Sequence, residues 1–435
     1  MGSSCEKLEF RQVDTLTYKY YLNGEWERLV GLGEEAIEQG IDYYYLRMRV
    51  GIAWYELEKY LFAAKHFRKA LVFNSPDPLA EEYLYYCYLN SGKYSLAREY
   101  LRKIKPPERE KADSLYGLPA LNIAAEAGPM FHSYSMDPKA KDLDGDQNIY
   151  GEISYPESAF YSNITLGLKT GRAADVLTSY TYLANNKKHL AMAGDSTILN
   201  EDVSQTQHQF FVQLPLHLGK GFTLTPAVHL LNLSFTSTSI SYNEEGQNFD
   251  FTKTSTKQNE RIWHISAEKD FGLFSLGLAG ASGNLNGRDQ LQYGAYLTAF
   301  PMGNLNFWSR TALMNHRNDG TDHLVFEQSA GFKAAEKIWG EVYVTVGPVV
   351  NYFNNNAFII YNSGYEVKTT GGTRWTFYSG KNLGFTLDYK FLQRKATYLQ
   401  YSLGETGYFD YEVYPDTKNY YITTHMILGG ISWKL

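Results

Sequence analysis

The chain reads as a two-domain α + β protein: a short α-solenoid of helical hairpins, then a transmembrane antiparallel β-barrel of about fourteen strands. Three observations carry that reading. Apolar residues recur at helical spacing through residues 10–105 and at a spacing of two through much of 118–435. In the second segment six tight turns alternate with long polar stretches. Aromatic residues make up 16% of the chain, with 37 Tyr. Such side chains gather where a membrane-spanning wall meets water, because their bodies are apolar and their tips polar.

The first segment repeats. Residues 44–77 carry Gly51, Trp54, Tyr60, Ala63, Phe67, Ala70 and then Pro76. A shift of about 34 residues forward meets Tyr85, Tyr88, Tyr94, Ala97 and Leu101, and the same shift back meets Thr17, Tyr20, Trp26, Leu29, Gly33 and Ala36. Small positions let two antiparallel helices approach, and aromatic ones fill the layer between units. The spacing resembles that of tetratricopeptide repeats, with units near 10–43, 44–77 and 78–111 inside a domain spanning 1–111. The first unit is degenerate, with Gly33 where a large residue is usual. Three units is near the minimum for such an array, so it is expected to lean on something.

The resemblance implies that the first helix of each unit lines a concave groove. The groove positions are then Arg11, Asp14, Tyr18 and Tyr21; Tyr45, Met48, Ile52 and Tyr55; and Leu79, Glu82, Tyr86 and Leu89. Nine of these twelve are aromatic or aliphatic, and Arg11 is the one cation among them. Such a groove suits an amphipathic or apolar partner segment, with Tyr18, Tyr21, Tyr45, Met48, Tyr55, Tyr86 and Leu89 as its binding residues. The alternative is a groove filled by the chain's own N-terminal arm or by the barrel rim. The last helix is basic (Lys93, Arg98, Arg102, Lys103, then Lys105, Arg109 and Lys111). It reads as a solvated face, or as a contact with anionic phospholipid heads beside the barrel. Pro106-Pro107 and the polar run to Gly117 form the linker.

The barrel is read over 118–435. Tight turns fall at 171–175, 219–221, 269–272, 301–304, 334–337 and 379–382. Long excursions are expected at 130–157, 185–206, 239–257, 282–289, 315–322, 353–370 and 395–419. Short turns on one side and longer loops on the other are the asymmetry of an outer-membrane barrel, and with both barrel ends on the turn side the helical domain lies in the periplasm. Strand faces alternate, as in Leu383, Phe385, Leu387, Tyr389 and Phe391 against Gly384, Thr386, Asp388 and Lys390. The terminal strand shows Ile427, Gly429, Ile431, Trp433 and Leu435 on one face. Glu327, Glu341, Asp388 and Lys390 are the lumen candidates, with Arg310, Lys333 and Lys269 beside them.

Composition narrows the function. Acids and bases balance in 1–111, so the net charge of −6 falls on the remainder. That excludes a basic nucleic-acid footprint. Two Cys, Cys5 and Cys87, cannot build a disulfide framework. Cys87 reads as a small buried hydrophobe. Cys5 reads as part of a trimmed or added N-terminal segment, with lipid modification as the other reading. No apolar run is long enough for a membrane-spanning helix. No apolar leader is present in the first residues, and an outer-membrane precursor is expected to carry one. No nucleophile elbow, zinc helix, phosphate loop or dinucleotide fingerprint appears, so no enzyme and no cofactor is expected. Asp142, Asp144, Asp146, Asn148 and Glu152 alternate as calcium ligands do, but the acid comes one place early and the turn glycine is missing, so no metal is assigned.

Helical repeats followed by a barrel resemble the surface-lipoprotein assembly modulators and, more distantly, the repeat-bearing exopolysaccharide export porins. The short array and the strand number favour the first group. The resemblance implies an outer-membrane translocation or assembly factor that captures an envelope protein or exported lipoprotein in its periplasmic groove. The alternatives are a polysaccharide or solute export porin with a docking scaffold, and a non-transporting envelope scaffold.

Overall fold

The computed structural model describes residues 7–104, 120–135, 149–169, 174–193, 196–243, 248–362, 366–397, 399–402 and 419–435. Cys5, the linker, Lys105, Arg109, Lys111 and Asp142, Asp144, Asp146 and Asn148 of the acidic run lie outside them.

Six helices fill the first part of the described chain: α1 (Phe10–Asn23), α2 (Trp26–Glu38), α3 (Tyr44–Glu56), α4 (Tyr60–Phe73), α5 (Pro78–Asn90) and α6 (Tyr94–Leu101). The first helices of the three hairpins start 34 residues apart, and so do the second helices. Local chemistry sets the boundaries. Gly24, at φ 69°, ends α1, and its N–H bonds back to the last turn. Asp77 caps α5 by accepting from Ala80 N at 2.9 Å, with Pro78 in the first turn. The glycine that makes the first unit irregular has a physical reason. A Cβ on Gly33 would stand 2.3 Å from Val50 Cγ2, so α2 and α3 can be this close only with glycine there. Leu29, Leu46, Phe67, Leu84, Tyr85 and Cys87 are buried in the helical cores.

Among the described residues fourteen long strands close into an antiparallel barrel. They are β1 (Ala120–Tyr134), β2 (Ile149–Lys169), β3 (Val176–Ala193), β4 (Ser196–Gln213, continued by Leu216–Gly219), β5 (Phe222–Asn243), β6 (Asn248–Phe271), β7 (Phe274–Leu285), β8 (Arg288–Ala299), β9 (Phe307–Asn318), β10 (Thr321–Ala335), β11 (Ile338–Val349), β12 (Glu366–Ser379), β13 (Leu383–Thr397) and β14 (Asn419–Lys434). Each pairs with its neighbours in sequence, and β14 returns to β1. The seam holds to the last residue, where Leu435 N donates to Leu121 O at 2.8 Å.

The outer face is apolar on every side. Leu166, Val212, Trp263, Leu278, Leu297, Leu313, Val342, Leu387 and Ile431 all point outward and are exposed. A patch of that extent is far larger than soluble monomers carry. The shortest strands have 12 residues, which at about 3.3 Å each and a tilt near 40° span about 30 Å, the thickness of a bilayer core.

Several expected excursions are paired strand instead. Residues 185–206 and 239–257 belong almost wholly to β3–β4 and β5–β6, which run beyond the apolar belt. Their Ser, Thr and Asn side chains lack an apolar face, so the sequence resembled a loop, yet β-branched Thr fits a ladder well. Residues 282–289 and 315–322 close at Asn286-Gly287 and Asp319-Gly320, all four at positive φ, the geometry of tight hairpin turns. Residues 350–362 fold into the barrel rather than away from it, as a small hairpin of Tyr352–Asn354 and Ile359–Tyr361. Lys269 faces outward: its ammonium donates to Lys220 O and lies 4.0 Å from the Phe222 ring centroid.

The belt makes a measurable prediction. Leu278→Arg places a charge near mid-height and is expected to lower barrel stability by about 2–4 kcal/mol, whereas Ser255→Arg, on the polar extension of β6, changes it by less than about 0.5 kcal/mol. Urea titration in lipid vesicles, read by the gel-mobility difference between folded and boiled protein, checks both.

Candidate functional site

The two domains meet at the turn end of the barrel, where the described tight turns and both ends of the strand series lie. The β8–β9 turn docks on the start of α4. Leu61 N, one of the N–H groups that a helix leaves unpaired at its start, donates to Gly303 O at 2.8 Å. Asn304 Nδ2 donates to Glu58 O at 2.9 Å. Gly303 has φ 69°, and a Cβ there would stand 2.5 Å from the Phe62 ring, so this approach requires glycine. Leu273, Phe300, Leu305 and Trp308 of the barrel pack on the core of α3–α6.

The start of α6 closes part of the mouth. Lys93 Nζ lies 2.7 Å from Asp270 Oδ1, with the two side chains 4% and 6% exposed. It also donates to Ser275 and sits 4.0 Å from the Phe300 ring centroid. Arg98 Nη2 is 2.6 Å from Asp175 Oδ1, and His217 Nε2 is 3.2 Å from the other oxygen of that carboxylate. Ser95 Oγ donates to Phe222 O, and Lys220 N to Glu99. Lys169 Nζ donates to Tyr94 OH and covers its ring. The basic helix is therefore neither a solvated face nor a lipid contact at Lys93 and Arg98. Both cations are consumed by acids of the barrel rim. Lys103 turns back to Glu81 at 3.6 Å, and Arg102 is exposed.

The groove residues divide. Tyr18 and Tyr45 are open, at 49% and 63% exposure. Tyr21, Tyr55, Tyr86 and Leu89 are half-buried against the α3–α6 core. Met48 is 5% exposed and Ile52 8%, so both serve packing and present little surface to a partner. Arg49, one place beyond the assigned groove positions, adds a cation: its guanidinium lies 5.0 Å from the Tyr18 ring centroid and 2.8 Å from Asp14 Oδ1. Phe10, Tyr45, Val72, Phe73 and Leu79 are exposed at the edge of the array remote from the barrel, where α3 and α5 begin and α4 ends.

Behind that edge a buried relay ties α2, α3 and α4. Asp42 holds Arg47, whose Nη1 reaches His66 Nδ1 at 3.2 Å. Nδ1 therefore accepts, and His66 Nε2 donates to Glu34 at 2.9 Å, which also accepts from Trp54 Nε1. The His66 hydrogen bond, opposed by burial and helped by Trp54, holds the Glu34 carboxyl down at about 2.

The lumen candidates sit on inward-facing positions. Asp388, 1% exposed, accepts from Arg374 at 2.7 Å and from Tyr343 OH at 3.1 Å, with Lys390 Nζ at 3.5 Å. Arg374 also reaches Glu126 at 2.8 Å. Glu341 faces inward and is exposed. Glu327 accepts from Tyr352 OH of the inward hairpin. Arg310 lies 3.9 Å from the Tyr296 ring centroid, and Lys333 faces the lumen. Glu152, the described end of the acidic run, bonds His189 at 2.7 Å. Among the described residues no cluster of metal-ligating side chains forms.

No protein-family model matches the chain, and no curated protein matches it. Solved structures share its parts at low identity. A Pseudomonas aeruginosa FadL homologue is 9% identical over 72% of this chain and 89% of its own, with a TM-score of 0.43. The translocator domain of the autotransporter NalP from Neisseria meningitidis is 9% identical over 80% and 99%, with a TM-score of 0.33. The Yersinia enterocolitica type III secretion chaperone SycD, in complex with a YopD peptide, is 17% identical over 25% and 86%, with a TM-score of 0.21.

Two expectations follow. Removing one member of a buried ion pair costs about 3–5 kcal/mol, because the other charge is stranded. Lys93→Ala is therefore expected to free α6 from the rim, read as faster hydrogen exchange at residues 93–101 with the barrel ladder unchanged. Glu34 is lowered from the ordinary 4.5 to about 2, so its contribution is complete above 4.5 and vanishes as pH falls to 2. The helical signal of the wild type should lose thermal stability across that window more steeply than that of Glu34→Gln, measured by circular dichroism in detergent.

Proposed function

We propose that this protein is an outer-membrane translocation or assembly factor, with its helical array in the periplasm as the receiving element. The array captures an extended segment of an envelope protein or exported lipoprotein and presents it to the barrel, as in the surface-lipoprotein assembly modulators that its architecture resembles. The work is binding and positioning, without covalent chemistry.

The observation that carries this reading is the buried Lys93–Asp270 and Arg98–Asp175 docking. A repeat array that only tethered partners would need no fixed geometry. Here the array is seated on the mouth, so Tyr18, Tyr45 and Leu79 stay at constant positions relative to the lumen. Exposed aromatic rings beside the Arg49 cation suit a segment with apolar anchors at alternate positions.

The test is site-specific photo-crosslinking in cells, with the probe at Tyr45 and a control probe at Val342 on the lipid belt. A periplasmic or surface protein should crosslink at Tyr45 alone. The triple change Tyr18→Ser, Tyr45→Ser and Leu79→Ser should weaken its binding by at least about tenfold, since burying an aromatic anchor is worth about 2 kcal/mol or more. Unchanged binding in the triple variant, or an unchanged surface proteome after deletion of the whole gene, would refute the assignment.

A further inference from the structure

Residues 350–362 form a hairpin that fills one side of the lumen. Its two short strands pair with each other, and among the described residues neither joins the barrel ladder. It contains no Asp, Glu, Lys, Arg or His. Tyr352, Phe353 and Ala357 pack into apolar clusters of the wall, and side-chain hydrogen bonds anchor it further. His316 Nε2 donates to Val350 O at 2.8 Å, and His229 Nδ1 donates to Ala357 O at 2.7 Å. Gln292 Nε2 donates to Phe353 O at 2.8 Å. Tyr352 OH donates to Glu327, and Asn362 Nδ2 to Glu260 at 3.4 Å. These wall residues belong to β5–β10, and Asn354 Nδ2 also donates to Thr345 of β11 at 2.9 Å and Asn362 Nδ2 to Gln207 of β4 at 3.1 Å.

The opposite wall is different. Glu126, Arg374, Asp388 and Lys390, from β1, β12 and β13, form a connected track of charges there, and Glu341 of β11 beside it is exposed to water. Among the described residues the hydrogen bonds and ion pairs between helices and barrel fall on the strand ends and turns from β2 to β9, and none falls on this sector. A charged, wetted wall facing an uncharged stopper is the arrangement of a closed aqueous path.

We propose that the lumen is a conduit for small hydrophilic ions and solutes, that the 350–362 hairpin is its stopper, and that proton uptake by His229 and His316 withdraws it. Both imidazoles are buried, at 1% and 0% exposure. Each uses one nitrogen to hold a hairpin carbonyl, while His229 Nε2 and His316 Nδ1 have no hydrogen-bond partner among the described residues. A second proton would create a buried cation with an unanswered N–H, a costly state that water relieves only if the hairpin leaves. The hairpin brings no carboxylate to meet it. The neighbouring strands bring Glu260 and His264 of β6, Arg310 of β9, and His323 and Glu327 of β10 into this region. Protonated Glu260 or Glu327 would hold its own anchor less strongly, so these acids act in the same direction. His264, His323 and Arg310 supply no negative charge to offset the new cation.

Planar-bilayer conductance of the full chain in potassium chloride tests this. Conductance at pH 5 should exceed that at pH 7.5 by at least about tenfold, the range over which imidazoles titrate. Deleting residues 352–361 should give the high level at both pH values. The deletion is geometrically mild, because Tyr352 pairs with Tyr361 and the flanking residues are already adjacent. Combined His229→Gln and His316→Gln, whose amides still donate to the carbonyls but do not titrate, should stay closed at both. A deletion variant that conducts no better than the full chain would overturn the conduit. A full chain indifferent to pH, or a double-Gln variant that still opens in acid, would overturn proton release through these histidines.

Discussion

The structure depends first on backbone hydrogen bonding in a medium without water. In hydrocarbon every strand N–H and C=O must find a partner within the protein, and an open sheet edge cannot. The fourteen strands therefore close, and the closure runs through β1 and β14 down to the Leu121–Leu435 pair. Closure fixes the rest. Period two then sorts side chains into an apolar outer belt and a polar lumen. An even strand number returns both barrel ends to one mouth, so a domain attached before β1 must lie at that mouth. The docking of α4 and α6 on the rim follows from that topology.

Elements with two chemically distinct faces were legible in the sequence. Leu383–Phe391 alternates because one face meets lipid, and the helical hairpins repeat because each unit must present the same small and aromatic positions to the next. The polar ribbons of β3–β6 were not legible as strands. Both of their faces meet water, so pairing leaves no hydrophobic alternation behind. The inward hairpin was hidden for a related reason: its Asn-rich tip at 354–356 looks like any exposed loop, and only the uncharged run around Tyr352 and Phe353 sets it apart. The rim lock was out of reach because Lys93 and Asp270 are 177 residues apart in the chain. Among groove residues, the repeat spacing located Tyr18 and Tyr45 on open surface. It could not separate them from Met48, because one helix position decides between core and surface and the array's curvature sets which.

The helical array is near the minimum length for such repeats, and it leans on the barrel. Repeat stability is a sum of unit and interface terms, and a terminal unit needs a cap. Here the cap of the third unit is the barrel rim. Phe300, Leu305 and Trp308 extend its apolar core, and a barrel carbonyl satisfies the start of α4 in the unit before it. The buried ion pairs add little net stability, since desolvation offsets most of their attraction. They add a unique seating, because any other rotation of the array would strand Lys93, Arg98, Asp175 and Asp270 without partners.

The two ends of the lumen are thus obstructed by different physics. The array is held by desolvated charges, where losing one partner costs about 3–5 kcal/mol. The inward hairpin carries no charge and is held by apolar packing of Tyr352, Phe353 and Ala357 on the wall and by side-chain hydrogen bonds, without an ion pair. It makes no main-chain pairing with the wall that its departure would break. The first is suited to permanence and the second to reversible displacement. Solutes crossing this barrel would then pass the hairpin at one end and the sector between β10 and β14 at the other, beside an array that stays in place.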